Sequence, residues 1–460
     1  MAETEVTGDD TTDEEYGPDN RRVAAVRDAV EEGDAARLTE LLEPLHPADI
    51  ADIIEQISPA NRRDLIALWS GRIDGEILSE IDEGIREEIV GYLPDDVLAD
   101  AVRELDSDDV VDILEDLEEP QQGIILSALE AADRVAVEQA MSYPEYSAGR
   151  LMQREVVVAP EHWTVGETVD FLRKEEWLPD QFYHIILVDP RMHPVGYVTL
   201  GKLLAAKRAV KLQDICEDSF RTIGVLDEEG DVAYLFNQYH LISAPVVDEN
   251  NRLVGVITID DAMSVLDEEH EEDILRLAGV GESSLSDRVF ETTRQRLPWL
   301  AVNLATAILA SMVIAIFEDT LQQIVALAIL MPIVASMGGN AGTQTLTVVV
   351  RAIATRDLTR SNLWRIVGRE AVVGLINGLA FAVIMGLVGW IWFSVPMIGV
   401  VIGLAMVVNL VVAGLSGILI PVAMDKAGID PALASGTFVT TMTDVVGFFA
   451  FLGLAGMLLL

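Results

Sequence analysis

The stretch Pro431-Ala-Leu-Ala-Ser-Gly-Thr-Phe-Val-Thr-Thr-Met-Thr-Asp444-Val-Val-Gly-Phe-Phe-Ala-Phe-Leu-Gly-Leu-Ala-Gly-Met-Leu-Leu-Leu460 is uncharged throughout except for one carboxylate near its middle. A carboxylate at bilayer depth is costly, so it faces a protein interior or an aqueous path and marks an ion route. Thr437, Thr440, Thr441 and Asp444 recur at i, i+3, i+4 and i+7, which places their oxygens on one stripe of a helix. Four more apolar runs precede this one, at about 298–317, 321–350, 367–393 and 397–424. Each meets the roughly twenty residues a bilayer requires. The pattern predicts five spans.

The second run contains Met331-Pro-Ile-Val-Ala-Ser-Met-Gly-Gly-Asn-Ala-Gly-Thr-Gln344. Proline and glycine free backbone carbonyls, which membrane depth tolerates only where protein or water meets them. The expectation is a helix interrupted at Gly338–Gly342, with Asn340 and Gln344 lining a path; close packing through small residues is the structural alternative. Glu370 sits beside Arg369 at a membrane end and reads as a side chain that snorkels to water. Arg288, Arg294 and Arg296 precede the first run, five arginines from Arg351 to Arg369 join the second to the third, and Lys426 joins the fourth to the fifth. The other two connections carry no Lys or Arg, so the positive-inside rule puts the soluble half in the cytoplasm of a cell-membrane protein and the C-terminus outside.

The front of the chain has a different composition. Residues 1–296 carry 69 of the 76 Asp and Glu and 25 of the 31 Lys and Arg, a net −44. This charge sets nucleic acid aside as a partner and points to cations. Acids are spread everywhere and Arg outnumbers Lys 26 to 5, which also suits life in concentrated salt; any ion site must therefore rest on local clusters. Cys216 is the single cysteine, so no intrachain disulfide forms, and a reducing compartment suits it. Residues 1–22 read as a disordered acidic tail without a signal pattern.

Residues 23–142 predict an all-α domain of short stacked helices. Asp49-Ile-Ala-Asp-Ile-Ile-Glu-Gln-Ile57 recurs as Asp109-Val-Val-Asp-Ile-Leu-Glu-Asp-Leu117 and again from Asp96, each an acid-led apolar stripe. Such helices bury their faces only by stacking, as in a superhelical array. In residues 143–206 and 207–268, Val188–Thr199 matches Val247–Thr258 at an offset of 59. Strand, polar turn, strand and helix repeat in both. This α/β tandem resembles a pair of CBS domains, which implies a regulatory module, often nucleotide-binding. The ribose-reading Thr-x-x-Asp stands as Thr258 and Asp261 in the second copy, but Thr199 is followed by Lys202 in the first, which leaves ATP a doubtful ligand. Residues 269–297 read as a charged connecting helix.

With these motifs in hand, the chain resembles the MgtE family of magnesium channels or transporters over nearly everything after the tail. Gly338-Gly-Asn-Ala-Gly-Thr-Gln344 and the segment from Asp430-Pro-Ala to Thr443-Asp444 carry the resemblance most specifically. It implies a homodimer in the lipid bilayer with a pore between subunits and Asp444 holding hydrated Mg2+. It also implies cytosolic Mg2+ sensing by Asp261, Glu269, Glu272 and Asp273, with Asp260, Asp96 and Asp100 nearby, and connecting helices that act as plugs. A family-acidic position stands here as Ser264. The rivals are a carrier of another divalent cation and a membrane-tethered CBS nucleotide sensor. An enzyme is disfavoured, because neither a nucleophile–base pair nor a ligand-spaced His and Cys cluster is visible.

Overall fold

The structure is a computed structural model, and it describes residues 20–460 apart from 104, 116, 176, 180, 218–219 and 281–288. Most of the acidic tail, and Arg288 in the charged connection, lie outside the described residues. The chain divides into two compact units, one running up to Leu266 and the other Asp267–Leu460.

The first unit opens with short helices from Asn20–Glu32 to Ala131–Ala140. The acid-led repeats form Pro47–Gln56, Asp95–Val102 and Ser107–Glu115, with Asp49, Asp96 and Asp109 in their first turns. Acids there complement the positive helix N-terminus. The apolar stripes meet in one core that includes Leu38, Ile53, Ile54, Leu65, Leu78, Ile89 and Ile113. Two buried arginines tie helix ends together. Arg62 donates to the Ile54 and Glu55 carbonyls and pairs with Glu88, while Arg86 donates to Ile81 and pairs with Asp112. These contacts satisfy carbonyls that a helix C-terminus leaves without intrahelical partners.

Two three-stranded sheets follow. In the first, β1 (Val158–Pro160) lies parallel to β2 (His184–Val188), which pairs antiparallel with β3 (Pro194–Thr199). The second repeats the order with β4 (Ile223–Gly224), β5 (Ser243–Val247) and β6 (Leu253–Thr258). The offset of 59 survives to the irregularity, which falls between Leu187 and Val188 and again between Val246 and Val247. Asp189 and Asp248 hold the matching turns, each accepting backbone N–H bonds from residues two and four positions on.

After β6 a single helix, Ile259–Leu277, contains both the last helix of the second repeat and the start of the charged connection. It stops at Leu277 rather than running on toward Arg296, and Gly279 adopts a left-handed φ of +72° just beyond its end.

Among its described residues, the second unit holds five helices long and apolar enough to cross a membrane. Span 1 lies in Val289–Ile316, span 2 is Ala326–Ala354, span 3 Leu363–Phe393, span 4 Pro396–Lys426 and span 5 lies in Pro431–Leu458. Spans 3 and 4 part at Ser394-Val-Pro396, where Ser394 has a left-handed φ of +55°. Span 4 is the most buried of the five.

The expected interruption of span 2 does not occur. Its helix runs unbroken through Gly338–Gly342, with Pro332 also inside. The glycines serve contact instead. A Cβ on Gly338 would stand 2.3 Å from Asn409 Nδ2, and one on Gly342 would stand 2.5 Å from Val439 Cγ1. Removing the side chains lets spans 4 and 5 approach the backbone of span 2, the small-residue packing typical of membrane helices.

Candidate ion pathway

Asp444 is the midpoint residue of the Pro431–Leu458 helix. Span 5 brings its polar face against span 2: Gly342 meets Val439 and Thr443, and Gly339 lies beside Thr440. The Oδ1 atom of Asp444 is shielded from solvent and accepts no hydrogen bond from the described residues. A buried acceptor left this way in a helix bundle calls for a donor or a cation. Around it the hydroxyls are engaged differently. Thr437 donates to Asn303 Oδ1 of span 1 at 2.8 Å, Thr441 to the Thr437 carbonyl at 2.6 Å and the fully buried Thr443 to the Thr440 carbonyl at 2.9 Å. Thr440 is exposed.

On span 2, Asn340 and Gln344 are both exposed and one turn apart, and Asn340 Nδ2 donates to Ser336 Oγ at 3.3 Å. Ser336, Asn340, Gln344 and Thr347 thus form a polar line along one side of an otherwise apolar helix. Among the described residues, no three or more His, Cys, Asp or Glu gather in a way that would grip a bare metal ion. What the spans offer at Asp444 is one carboxylate with hydroxyl and amide groups nearby, donors suited to the water shell of a hard cation.

Sequence reading missed Asn409. It is fully buried in span 4, donates from Nδ2 to the Val334 carbonyl of span 2 at 2.7 Å, and packs against Gly338 and Gly447. Its Oδ1 has no partner among the described residues. The signal was its solitude, since Asn377 and Asn409 are the only Asn, Gln or charged residues between Ala371 and Met424.

The acids named for sensing fall in both units. In the first, Asp261 accepts from the Thr258 hydroxyl at 2.7 Å and the Thr258 N–H at 3.2 Å, while the same hydroxyl also reaches Asp260. Facing this turn is the start of the Ser107–Glu115 helix. Burial pushes Asp109 up to about 7, with Asp261, Asp106 and Asp112 adding to it. Asp108 is pushed well above the usual carboxylate range by burial and then by Asp261. Asp261 rises to about 6 through burial, against the pull of the Thr258 hydrogen bonds. The N-domain carboxylates brought to Asp261 are therefore Asp106, Asp108 and Asp109. Asp96 and Asp100 lie exposed on the Asp95–Val102 helix, and Asp100 pairs with Arg103. The helical repeat made the two acid-led helices look equivalent; the stacking turned a different one toward the sheet domain.

In the second unit, Arg276 bridges Glu272 at 2.7 Å and Asp430 at 3.1 Å. Asp430 also caps span 5 by accepting the Ala432 N–H at 2.8 Å. Burial raises the Asp273 carboxyl, and Asp430 adds to it. Glu269 lies on the same helix.

In the sheet domain, the cleft between the repeats is lined by Gln153, Phe182, His184, Ser243 and Thr258 and encloses about 20 Å3. A nucleotide needs a pocket of several hundred Å3, roughly 300 or more, so this cleft would have to open to admit one. Lys202, in the position where an acid would read ribose, pairs with Glu217.

The fold and this geometry define a protein with five candidate membrane spans, a polar helix seam and, ahead of the spans, a helical domain and a tandem α/β pair. Comparison with known proteins narrows that class. A family model described as a divalent cation transporter matches residues 331–454, the MgtE intracellular N domain matches 45–146, and CBS domains match 148–209 and 216–268. The magnesium transporter MgtE of Bacillus subtilis (strain 168) is 32% identical over 331 residues, covering 72% of this chain and 73% of that protein. The MgtE of Thermus thermophilus is 33% identical over 338 residues, covering 72% and 74%. A crystal structure of the cytosolic domain of the Mg2+ channel MgtE in complex with ATP is 30% identical, covers 53% of this chain and 99% of its own, and has a TM-score of 0.49. The chain belongs to the MgtE family of magnesium transporters.

Proposed function

We propose that this protein conducts Mg2+ into the cytoplasm down its electrochemical gradient and is closed by cytosolic Mg2+. The observation that carries the first part is Asp444, a mid-span carboxylate with an unpartnered, shielded oxygen on the helix that packs against the Asn340–Gln344 segment. A single carboxylate meeting an ion's hydration shell suits magnesium, which gives up its waters reluctantly. Passive conduction fits a chain with no phosphate-cradling Gly-Lys-Ser loop. The pathway is completed in a homodimer, with the C-terminus outside.

The gate rests on crowded carboxylates. Asp261 and Asp106 raise the proton affinity of Asp108 and Asp109, Asp106 also raises that of Asp261, and a divalent cation relieves the same repulsion. Arg276, Glu272, Asp273 and Asp430 join the connecting helix to the first turn of span 5. Ion binding that favours a compact state shifts the population toward closure.

The test is Mg2+ flux in proteoliposomes at high potassium, comparing wild type with Asp444→Ala while cytoplasmic-face Mg2+ is titrated. Flux that requires Asp444 and falls as cytoplasmic Mg2+ rises is expected. Folded protein with no flux from a low-Mg2+ start would instead favour the tethered-sensor reading, and stronger flux of manganese, cobalt or calcium would reassign the cargo.

A further inference from the structure

Spans 2, 3 and 4 line a partly open chamber of about 180 Å3 whose polar lining is Gln344, Thr345, Arg369, Glu370 and Asn377. Glu370 turns inward rather than snorkelling to water: its side chain is 14% exposed, while the neighbouring Arg369 side chain is 68% exposed. Thr345 Oγ1 donates to Glu370 Oε2 at 3.4 Å, and Arg369 Nη2 reaches Glu370 Oε1 at 3.1 Å. The negative member of the pair is therefore inside the chamber and the positive member at its mouth.

Gln344 links this chamber to the polar line of span 2, since it belongs to both. Thr345 lies six residues before Arg351, about 9 Å along the helix toward the arginine-rich connection. The chamber is thus displaced from mid-span toward the end read as cytoplasmic. A cavity needs only about 10–15 Å3 of such space to hold a water, so this one admits a cation with much of its hydration shell. The interior groups, a carboxylate, a hydroxyl and two amides, all present oxygen acceptors. The Arg369 guanidinium stays largely exposed, so a divalent ion that brings more charge to Glu370 can displace it.

Resting on the Mg2+-conduction reading, we propose that the Glu370 chamber is a second station for the transported divalent cation, on the cytoplasmic side of Asp444. There the ion takes the place of the Arg369 guanidinium on Glu370. Two separated sites of moderate affinity let an ion leave the first without waiting for bulk water.

The test is initial Mg2+ flux against Mg2+ concentration for the full chain in proteoliposomes, with melting temperature and elution volume recorded for each variant. Glu370→Gln retains an acceptor for Thr345 but removes the charge, and Arg369→Gln removes the competitor. The proposal expects Glu370→Gln to raise the half-saturating concentration about tenfold, and Arg369→Gln to lower it several-fold. Opposite shifts are the signature. If the pair is only a brace, Glu370→Gln matches wild type while Thr345→Val loses stability and flux, or both charge variants lose flux together; either result overturns the proposal. Should Glu370→Gln fail to fold, the Arg369→Gln curve decides alone, an unchanged or raised half-saturation overturning it. Loss of Mg2+ flux in wild type removes the conduction reading and this one with it. Wild-type flux that needs Asp444 but ignores Glu370 removes only this one.

Discussion

Span 5 and the soluble unit both use aspartate, under opposite conditions. In the span one carboxylate stands without a charged neighbour among threonines and apolar residues, whereas at the Thr258–Asp261 turn at least four carboxylates crowd one another. Coulomb interactions scale inversely with the local dielectric, so one charge in a membrane interior governs its surroundings. At the Thr258–Asp261 turn burial acts instead on several carboxylates brought close, and their mutual repulsion adds to it. The proposed conducting site can therefore be minimal, while the proposed sensing site is crowded.

The largest expected break of this contrast is at the lone charge. Asp444→Asn should abolish Mg2+ flux with little change in melting temperature, because no second carboxylate shares its place. Retained flux in the folded variant would show that the spans attract cations without it. Next comes the seam that holds the site. Gly342→Val drives a side chain into Val439 and should cost about 1–3 kcal/mol by overpacking, with flux lost to misplaced helices. Gly339→Ala meets only Thr440 Cγ2 at 3.8 Å, an ordinary contact, and should be near neutral in both melting temperature and flux. Equal damage from the two substitutions would mean that the glycines act through backbone flexibility rather than close approach.

At the crowded site a single loss is shared by neighbours, so effects should be graded. Asp109→Asn with Asp261→Asn should leave maximal flux intact and raise the cytoplasmic Mg2+ for half-closure about tenfold, the equivalent of about 1.4 kcal/mol. Asp96→Asn with Asp100→Asn, on the exposed helix, should shift it far less. The reverse order would return the sensor to the acids singled out by the sequence repeat.

That last difference marks where sequence reading stops. Span number, the 59-residue repeat and the mid-span position of Asp444 were legible because each is written in composition or local period: long apolar runs, β-branched pairs about a polar turn, one charge where none is cheap. The stacking of short helices is not local. Asp96 and Asp109 each lie in the first turn of a similar helix, and only the packed array decides which one meets Asp261. The same limit misled the reading of Gly338–Gly342. Glycine weakens a helix and also thins it, and the sequence does not say which effect is in use. Asn409 escaped for the related reason that its partners, Val334, Gly338 and Gly447, come from two other spans.

The gentlest test of the crowded site uses protons instead of substitutions. Asp109 and Asp261 titrate near 7 and 6 in the fold, against about 3.9 in an unfolded chain. Between those values the folded state binds more protons than the unfolded one, so stability falls as pH rises. The contribution is fully present below about pH 4, and it is lost as pH passes through about 6 and 7. In chelator, the transition of the soluble unit should therefore drop by a few degrees between pH 5.5 and 8, and saturating Mg2+ should reverse most of that drop at pH 8. Asp109→Asn with Asp261→Asn should reduce the pH dependence, leaving the share carried by Asp108, and blunt the Mg2+ rescue together. A rescue that survives in this variant would place the relevant ion elsewhere in the unit, and an unchanged pH slope would mean that other groups set it.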